Sequence, residues 1–459
     1  MSSLRNTESR LPLRIAVLDD DPTGMQTIHG CLVLTQWDEE ALRMAFDDTV
    51  RFFFVLTNTR AFGRDEATAR VTEIAERVLR IAKERGERIV FVSRGDSTLR
   101  GHFPLEMDAI DAACERAGNG RAHIRLLVPA FMEGGRLTVD GVHYVVDGET
   151  RVPAAETEFS RDQVFGYENS DLRRFIEEKT RGAVSAESVR LVSVNELRTG
   201  SDGRATAERL DGLLGPPPER DAPGAAYVVS DAEGYEELEV LTAAVERSLA
   251  RGTRILIQSA ASFVKTLTHC PSIPLVSPET EGKGGIVIVG SYVAKTGRQL
   301  ADILSHDATT GIEVDVQRVL ADRDDAETLR GVCVARIQRA WEDGQTPVVF
   351  TSRREVRFHD NEQRLYAGRR ISAFLVALLR DLGSQPAYII AKGGITSNDL
   401  LVEGAGVSRV RVLGQVHPGV PILRIPDDYQ LAGVPFVVFP GNVGDDSALT
   451  QVWRRFTVR

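Results

Sequence analysis

The sequence has few cysteines, no long apolar run and no excess of positive charge, and each absence excludes a class of protein. The four cysteines show no CxxC or Cys/His spacing, so neither a zinc site nor a disulfide framework is indicated. No apolar run reaches the roughly 18 residues that a membrane helix needs. The formal net charge of −10 argues against general nucleic-acid binding. Residues 1–12 lack the apolar core of a signal peptide, so we expect a cytoplasmic protein without membrane or nucleic-acid partners.

Two common nucleotide-binding signatures are also missing. The chain has no GxxxxGK[ST] sequence and no GxGxxG sequence after a predicted strand. What it has is the composition of a globular enzyme, with 42% hydrophobic and 27% charged residues. Because 459 residues exceed one ordinary hydrophobic core, we expect two to three domains.

The most distinctive stretch is an acidic triplet at the end of an apolar run. Ile15–Leu18 predicts a strand buried on both faces, and Asp19, Asp20 and Asp21 follow it directly, before a Pro-Thr-Gly turn. Adjacent carboxylates repel one another, so a cation, a sugar hydroxyl or a basic side chain is expected to use them. A helix N-cap is the alternative, although one aspartate would be enough for that.

The first half of the chain alternates strands and helices, as a parallel α/β sheet does. A helix is predicted over Ala67–Ile81, and two strands end in the polar segments Thr57–Arg60 and Ser93–Gly101. Residues 133–136 and 142–146 predict a loop and a short antiparallel excursion. Parallel strands bring their carboxyl ends to one edge, where these charges can meet. The predicted strands are 31–34, 51–56, 89–92, 125–129, 191–194, 227–231 and 255–258.

In the second half, glycines follow three predicted strands, 286–289, 387–391 and 434–439. Glycine after a strand lets backbone N–H groups approach a phosphate, and the next helix N-terminus favours the anion. Three such junctions favour phosphate binding. We predict an N-terminal domain over residues 1–270, a linker over 271–285 and a C-terminal domain over 286–459. The Pro- and Gly-rich residues 215–224 are interpreted as a surface loop.

Together these motifs resemble the four-carbon acid sugar kinases, which phosphorylate tetronates and related sugar acids with ATP. The family's Ala-Asp-Asp-Leu-Thr-Gly motif corresponds to Asp19–Gly24, and its Asp-Ser-Thr-Leu-Arg-Gly motif is intact at Asp96–Gly101. Its Thr-x-Thr-Arg motif appears at Thr57–Arg60. The second-half motifs are Gly290–Ser291, Gly393–Thr396, Pro418–Pro421 and Gly441–Gly444.

The resemblance implies an α/β protein of two domains, each built on a largely parallel sheet flanked by helices, with the active site in the interdomain cleft. It implies ATP with Mg²⁺ as cofactors and a small sugar acid as partner; a homo-oligomer is left open, and metal ligands are not indicated. The acid-binding residues that it implies are Asp20, Asp21, Arg60, Arg94, Gly95, Asp96 and Ser97. The nucleotide-binding residues that it implies are Ser291, Gly393, Gly394, Ile395, Thr396 and Gly441.

Three positions depart from the family pattern. Arg94 stands where lysine is usual, which keeps the charge but changes the hydrogen-bonding geometry. Ile395 replaces the usual acidic residue of the Gly-Gly-x-Thr motif, and Phe439 replaces a usual lysine. A family-typical metal or phosphate contact in the nucleotide site is therefore not expected at these two positions.

The residue chemistry agrees with a sugar acid as ligand. A carboxylate is well bound by a bidentate arginine, which Arg60, Arg94 or Arg100 can supply, although Arg100 has an alternative as a structural ion pair with Asp96. The hydroxyl groups of a sugar acid need hydrogen-bond acceptors.

Three aspartates can accept from those hydroxyls, and they are also the candidate catalytic residues. We expect Asp20, Asp21 or Asp96, with Asp20 favoured, to orient or deprotonate the attacking hydroxyl. The histidines His29, His102 and His143 are interpreted as loop or core residues.

Two other functions fit part of the sequence. Asp19-x-Asp21-x-Thr23 matches the start of haloacid-dehalogenase-type phosphatases, with Asp19 as nucleophile and Lys392 and Gly444–Asp446 as the later motifs. A non-catalytic sugar-acid sensor would keep the N-terminal site but has no use for three phosphate-type junctions.

Overall fold

The structure of the chain is a computed structural model, and it describes residues 13–198, 203–215, 225–280, 284–291, 293–353 and 361–457. The described residues form two compact units. The first unit contains the residues up to Asp20 together with Gln36–His269. The second contains Asp21–Thr35 and the chain from Cys270 onward.

The strands carry the buried apolar runs that the sequence predicts. In chain order they are β1 (Leu13–Asp19), β2 (Leu32–Leu34), β3 (Phe52–Leu56), β4 (Arg88–Arg94), β5 (Ile124–Val128), β6 (Arg136–Val139), β7 (Val142–Asp147), β8 (Thr150–Pro153), β9 (Arg190–Val192), β10 (Ala226–Ser230), β11 (Ile255–Ser259), β12 (Ile286–Val289), β13 (Thr309–Val314), β14 (Thr346–Thr351), β15 (Ile389–Lys392), β16 (Arg409–His417), β17 (Val420–Arg424) and β18 (Pro435–Phe439).

The helices lie between the strands of each unit. In chain order they are α1 (Glu39–Asp47), α2 (Arg64–Arg85), α3 (Leu105–Arg116), α4 (Leu172–Lys179), α5 (Val194–Arg198), α6 (Gly203–Leu213), α7 (Tyr235–Ala250), α8 (Ala261–Leu267), α9 (Ala294–Leu304), α10 (Val316–Ala321), α11 (Arg323–Glu342), α12 (Asn361–Arg380), α13 (Gly394–Asp399) and α14 (Ala448–Thr457). None of the described helices is both long and apolar enough to cross a membrane.

The first unit is built on a parallel sheet with the strand order β3-β1-β4-β11-β5-β10-β9. Consecutive strands fall on opposite sides of β1, so the strand order reverses there. Such a reversal opens a crevice at the carboxyl ends of the strands, where ligands bind in α/β sheets. The strands β6, β7 and β8 form a separate antiparallel sheet, which matches the predicted excursion.

The second unit contains the order β13-β14-β12-β15-β18-β17-β16-β2. The five strands from β13 to β18 in this order are parallel, and the last three pair antiparallel. Its strand order reverses at β12, beside β15. The predicted fold class, two α/β domains on largely parallel sheets, is thus confirmed.

Hydrophobic periodicity explains why most elements were predictable. Buried residues of α2 recur on one face, and Gly86 ends the helix with a left-handed φ of 65°. The short strand β2 is the main difference, because it was expected in the N-terminal alternation and instead pairs antiparallel with β16 in the second unit. Three apolar residues carry no information about their pairing partner. Most of the predicted loop 215–224 lies outside the described residues.

Candidate functional site

The acidic triplet at the end of β1 is divided between the two units. Asp19 and Asp20 belong to the first unit, and Asp21 belongs to the second. Strand register places Asp19 beside Leu56 of β3 and Arg94 of β4, so three strand ends meet at this edge. The carboxyl group of Asp19 is fully buried, and its Oδ1 lies 3.5 Å from Nη1 of Arg94.

Asp20 pairs with Arg60, which follows β3. Asn58 adopts a left-handed φ of 52° and turns the chain into a 3₁₀ turn that carries Arg60. The Nε and Nη2 atoms of Arg60 each lie 3.0 Å from an oxygen of Asp20. Nη1 of Arg94 lies 4.0 Å from the same carboxylate, so two guanidinium groups face Asp20.

The loop after β4 brings Asp96 to the same edge. Its Oδ2 accepts hydrogen bonds from the hydroxyl of Thr98 and from Nε of Arg100, the latter at 2.7 Å. Its Oδ1 lies 3.9 Å from Nη1 of Arg60. Gly95 lets the side chain of Gln258 approach the loop, since a Cβ at this position would lie 2.5 Å from its Nε2. The ion pair that was the alternative role of Arg100 is present, which leaves its Nη groups available for a further partner.

Electrostatics separate the two aspartates of this cluster. Burial raises the pKa of Asp20 well above its usual value, and the negative charge of Glu106 adds to the rise. Burial also acts on Asp96, but the positive charges of Arg100 and Arg60 outweigh it and hold the pKa of Asp96 below its usual range. Asp20 is therefore the more basic carboxylate, and Asp96 is a permanently charged acceptor.

A recess opens beside these side chains at the carboxyl ends of the strands. Both differently tuned carboxylates reach it, together with Arg100 from the same loop. Its lining residues are Asp20, Asp96, Leu99, Arg100, Gly101, His102, Phe103, Glu106, Leu127, Pro129, Phe175, Gln258 and Ser259.

Two buried polar side chains, Glu106 and His143, hold the loop after β4 in place, and the sequence did not assign either of them to the site. Glu106 on α3 accepts from the hydroxyls of Thr59 and Ser93, and burial raises the pKa of Glu106. His143 is fully buried and lies 2.8 Å from the carbonyl oxygen of Ser97. Burial lowers the pKa of His143 to about 4, so the ring is neutral and donates from Nε2. The prediction that His143 is a core residue stays consistent with this geometry.

In the second unit, the three glycine junctions lie side by side. Register pairs Val289 with Lys392 and Lys392 with Phe439, so the next residues of β12, β15 and β18 are neighbours. Gly393 has a φ of +115°, and its added Cβ would lie 3.1 Å from Cβ of Ser291. A Cβ at Gly441 would meet the hydroxyl of Ser291 at 3.3 Å. The surface at this edge is therefore formed by the main chain of the glycines rather than by side chains.

Two hydroxyls and one guanidinium complete this group. The hydroxyl of Thr396 lies over Gly290, since a Cβ there would overlap it. Ser291 shares a hydrogen bond of 3.1 Å with Thr296, and its carbonyl oxygen accepts from Nη1 of Arg353 at 2.5 Å. Arg353 follows β14 at the same edge, and neither Thr296 nor Arg353 was predicted.

Lys392 is fully buried beneath the junctions. Its Nζ donates to the carbonyl oxygen of Pro440 at 2.6 Å and lies 3.5 Å from that of Gly441. The ring centroid of Phe439 is 4.1 Å from Nζ. Burial, together with the positive charge of Lys295, lowers the pKa of Lys392 to about 6. From the sequence, Lys392 was a candidate only as the lysine motif of the phosphatase alternative. Its burial beneath the junctions could not be predicted from local sequence.

Asp21 lies with the second-unit residues. Its Oδ1 accepts from the backbone N–H and the hydroxyl of Thr23, at 2.8 and 2.5 Å. A Cβ on Gly394 would lie 2.8 Å from Oδ2 of Asp21. Ile395 is 62% exposed, so its side chain points to solvent. Asp20, Arg60, Arg94 and Asp96 of the predicted acid-binding set lie at one edge, and Asp21 also lies beside Gly394 of the predicted nucleotide-binding set.

A dedicated metal cage is not visible in the part of the chain that the structure describes. No group of three or more His, Cys, Asp or Glu side chains there is arranged to hold an ion. The carboxylate of Asp21 lies beside one of the glycine junctions, in contact with the position of a Cβ at Gly394.

Two curated relatives are named as sugar-acid kinases. A D-erythronate kinase of Heliobacterium modesticaldum is 26% identical over 279 residues, which cover 61% of this chain and 56% of the relative. A D-threonate kinase of Cupriavidus necator is 27% identical over 383 residues, which cover 79% of each protein. The chain thus matches little more than half the length of the first relative.

Two solved structures have the same fold. A protein of Salmonella typhimurium LT2, provisionally described as a tRNA synthase, has a TM-score of 0.68 at 19% identity and covers 97% of this chain and 100% of its own. A Haemophilus influenzae protein of the DUF1537 family has a TM-score of 0.63 at 18% identity, with coverage of 95% and 99%. At these identities the likeness concerns the fold alone.

Two family models account for most of the chain. The model described as a sugar-binding N-terminal domain matches residues 15–267, and the one described as a nucleotide-binding C-terminal domain matches residues 286–449. The first model ends at residue 267 and the second begins at residue 286, on either side of the change from the first to the second compact unit after His269. The chain belongs to the four-carbon acid sugar kinase family.

Proposed function

We propose that the protein is an ATP-dependent kinase that phosphorylates a hydroxyl group of a small sugar acid, with four carbons as the favoured length. The observation that carries the proposal is the pairing of two unlike sites. One is a carboxylate and guanidinium cluster beside a recess in the first unit. The other is a set of adjacent glycine junctions in the second unit. The names of the two relatives, both kinases of four-carbon acids, support the substrate class.

In this proposal the first unit binds and orients the acid. Asp96, which stays charged, accepts hydrogen bonds from substrate hydroxyl groups, while Arg100 on the same loop supplies positive charge. Gln258 lines the recess and offers both a donor and an acceptor. A vicinal diol between fixed acceptors is held in one orientation, which is the main requirement of phosphoryl transfer.

Asp20 is proposed as the general base. A base works best when its pKa lies near the operating pH, and burial moves the pKa of Asp20 upward in that direction. Arg60 lies within 3.0 Å and fixes the orientation of the carboxylate. Asp96 is the poorer base because its pKa is held low. The proton of the attacking hydroxyl would pass to an oxygen of Asp20.

The second unit is proposed to bind the nucleotide phosphates through the backbone N–H groups of Gly394 and Gly441 and through the hydroxyls of Ser291 and Thr396. Gly393 would let the phosphates approach closely, since its own N–H donates to the carbonyl oxygen of Phe439. The absence of side chains at the junctions fits this role, because a Cβ would occupy the approach. Ile395 belongs to the same turn, but its side chain is exposed to solvent and has no proposed contact with the nucleotide.

Mg²⁺ fits this arrangement as an ion that arrives with the nucleotide. Mg²⁺ is usually held by one or two carboxylates together with phosphates and water, rather than by a full protein cage. The single carboxylate of Asp21 beside Gly394 matches that requirement. Bound Mg²⁺ would supply charge neutralisation on the phosphates.

The phosphatase alternative fits less well. It needs Asp19 as an accessible nucleophile, whereas the Asp19 side chain is fully buried beside Arg94. The sensor alternative leaves the glycine junctions without a role.

Incubation with ATP, Mg²⁺ and a panel of tetronates, oxo-tetronates and pentonates tests the proposal. Acid-dependent formation of ADP and a phosphorylated acid is expected. Phosphate release from phosphorylated acids without ATP would favour the phosphatase, and thermal stabilisation by an acid without turnover would favour the sensor. If no acid of the panel elicits ADP, the kinase proposal fails.

A further inference from the structure

Arg136, the first residue of β6, is a buried arginine without an acidic partner. Its residue is 6% exposed, and one Nη group donates to the carbonyl oxygen of Gly134. Its Nε has no hydrogen-bond partner, and no acidic side chain among the described residues lies within ion-pair distance of its guanidinium. Burial lowers the pKa of Arg136, as expected for a charge removed from water.

Other buried arginines of the first unit are paired. Arg125 contacts Asp111 at 2.8 Å and Asp108 at 2.6 Å, and Arg14 contacts Glu87 at 2.8 Å. An uncompensated buried charge destabilises a protein by roughly 3–5 kcal/mol when a partner is removed. A guanidinium that the fold buries but does not neutralise is therefore suited to an anion that arrives from outside.

Hydrogen bonds connect the strand of Arg136 to the loop that carries Asp96. Arg136 and Thr138 are two residues apart on β6 and share one face of the strand. The hydroxyl of Thr138 lies 3.0 Å from Nδ1 of His143, and Nε2 of His143 donates to Ser97. This face of β6 is thus fixed against the loop of the recess.

Arg136 and Arg100 lie near the same aromatic ring. The guanidinium carbons of the two arginines are 5.9 and 5.1 Å from the ring centroid of Phe159. Asp96 is the carboxylate that acts on both, since it raises the pKa of each. Asp96 already accepts from Arg100, and Glu158 is the other acidic group that acts on Arg136, yet neither carboxylate forms an ion pair with Arg136.

We infer that Arg136, together with Arg100, forms a carboxylate-binding subsite that selects acids over neutral polyols. This inference rests on the proposed function and extends it to a residue outside the family motifs. Arg60 and Arg94 are less suited to the substrate carboxylate, because both already face the carboxylate of Asp20. Arg136 would be a specificity-determining residue, and the incoming carboxylate would neutralise it.

The test compares Arg136→Met with wild type for two ligands, by calorimetry. One ligand is the tetronate that the wild type binds, and the other is the tetritol of the same configuration, which has a hydroxymethyl group instead of the carboxylate. Arg136→Met should weaken tetronate binding by about 10–100-fold, as for a lost charged hydrogen bond. Tetritol binding should change less than about twofold, since it lacks the charge.

Arg151→Met is the matched control, because Arg151 lies on β8 of the same small sheet and is 51% exposed. It should bind the tetronate as the wild type does. Arg136→Lys, which keeps the charge, should recover part of the affinity. Without ligand, Arg136→Met should melt at the same or a higher temperature, since it removes an unpaired buried charge.

Equal tetronate affinity in Arg136→Met and wild type would overturn the inference while leaving the kinase proposal intact. An equal loss for tetronate and tetritol would also overturn it, because that pattern indicates general damage to the recess. Should Arg136→Met fail to fold, the same comparison with Arg136→Gln, which is polar but uncharged, decides: unchanged discrimination between acid and polyol rejects the subsite. If the wild type binds no acid of the panel, the proposed function itself fails.

Discussion

The two units place their polar groups at the same topological position but use different parts of their residues. Both have parallel strands that end where the strand order reverses. The first unit presents charged side chains there, with Asp20, Arg60 and Asp96 in one cluster. The second unit presents backbone, with Gly393 and Gly441 where side chains would block the approach. Side-chain charge distinguishes one small acid from another, whereas backbone N–H groups bind any phosphate of suitable shape.

The largest expected effect is at Asp20. Asp20→Asn removes the proposed base and should lower kcat by about 10²–10⁴-fold, with a smaller effect on nucleotide affinity. Steady-state kinetics with ATP and the best acid measure this effect. Asp47→Asn is the control, because Asp47 is 65% exposed on the first unit. Near-normal kcat in a folded Asp20→Asn protein would show that the cluster binds acid without acting as base.

The next effect tests the backbone half of the comparison. Gly441→Ala adds a methyl group whose nearest protein neighbour is the Ser291 hydroxyl at 3.3 Å, so the fold should tolerate it. Displaced phosphate contacts should weaken ADP binding roughly 10–100-fold by calorimetry, while acid affinity is retained. Gly331→Ala, with open space at its Cβ, is the control. Loss of acid binding with normal ADP binding would reverse the assignment of the two units.

A smaller effect concerns pH. Arg60 lowers the pKa of Asp20, so Arg60→Ala should raise it further and move the acid limb of the kcat profile to higher pH. Because the folded pKa of Asp20 exceeds its unfolded value, the stability linked to its protonation is present at low pH and lost as pH rises through the folded pKa. Arg60→Ala should therefore lose more stability at about pH 8 than at about pH 5. If Arg60→Ala has the same pH profile as the wild type, Arg60 is not the residue that sets the pKa of Asp20.

The smallest effect is expected at Lys392. Its folded pKa is depressed to about 6 from 10.5, so its contribution to stability grows as pH rises through that window and is lost as pH falls. The melting temperature of the wild type should therefore rise relative to that of Lys392→Met as pH increases from about 6. Lys83→Met, at an exposed position of α2, should show no such divergence. Parallel pH curves for wild type and Lys392→Met would contradict the prediction.

Sequence patterns predicted the fold because hydrophobic periodicity and strand-end polarity are local. They also placed Asp20, Arg60 and Asp96 at one edge, since parallel strands align their carboxyl ends. They did not show that Asp20 and Asp21 are assigned to different compact units, because two adjacent aspartates give the same sequence signal until the path of the chain is known. Arg136 and Lys392 could not be recognised either. Their distinguishing property is burial without a charged partner within reach, and this depends on residues far away in the sequence.

The excursion of residues 21–35 into the second unit has a consequence for dividing the protein. A fragment that begins near residue 270 would lack β2, so β16 would become an edge strand with unpaired N–H and C=O groups. Exposed edges of this kind promote aggregation. A fragment ending near residue 270 would carry β2 without β16, its antiparallel partner. Independent folding of the halves would therefore require the 21–35 segment to be grafted onto the C-terminal fragment rather than a simple cut between them.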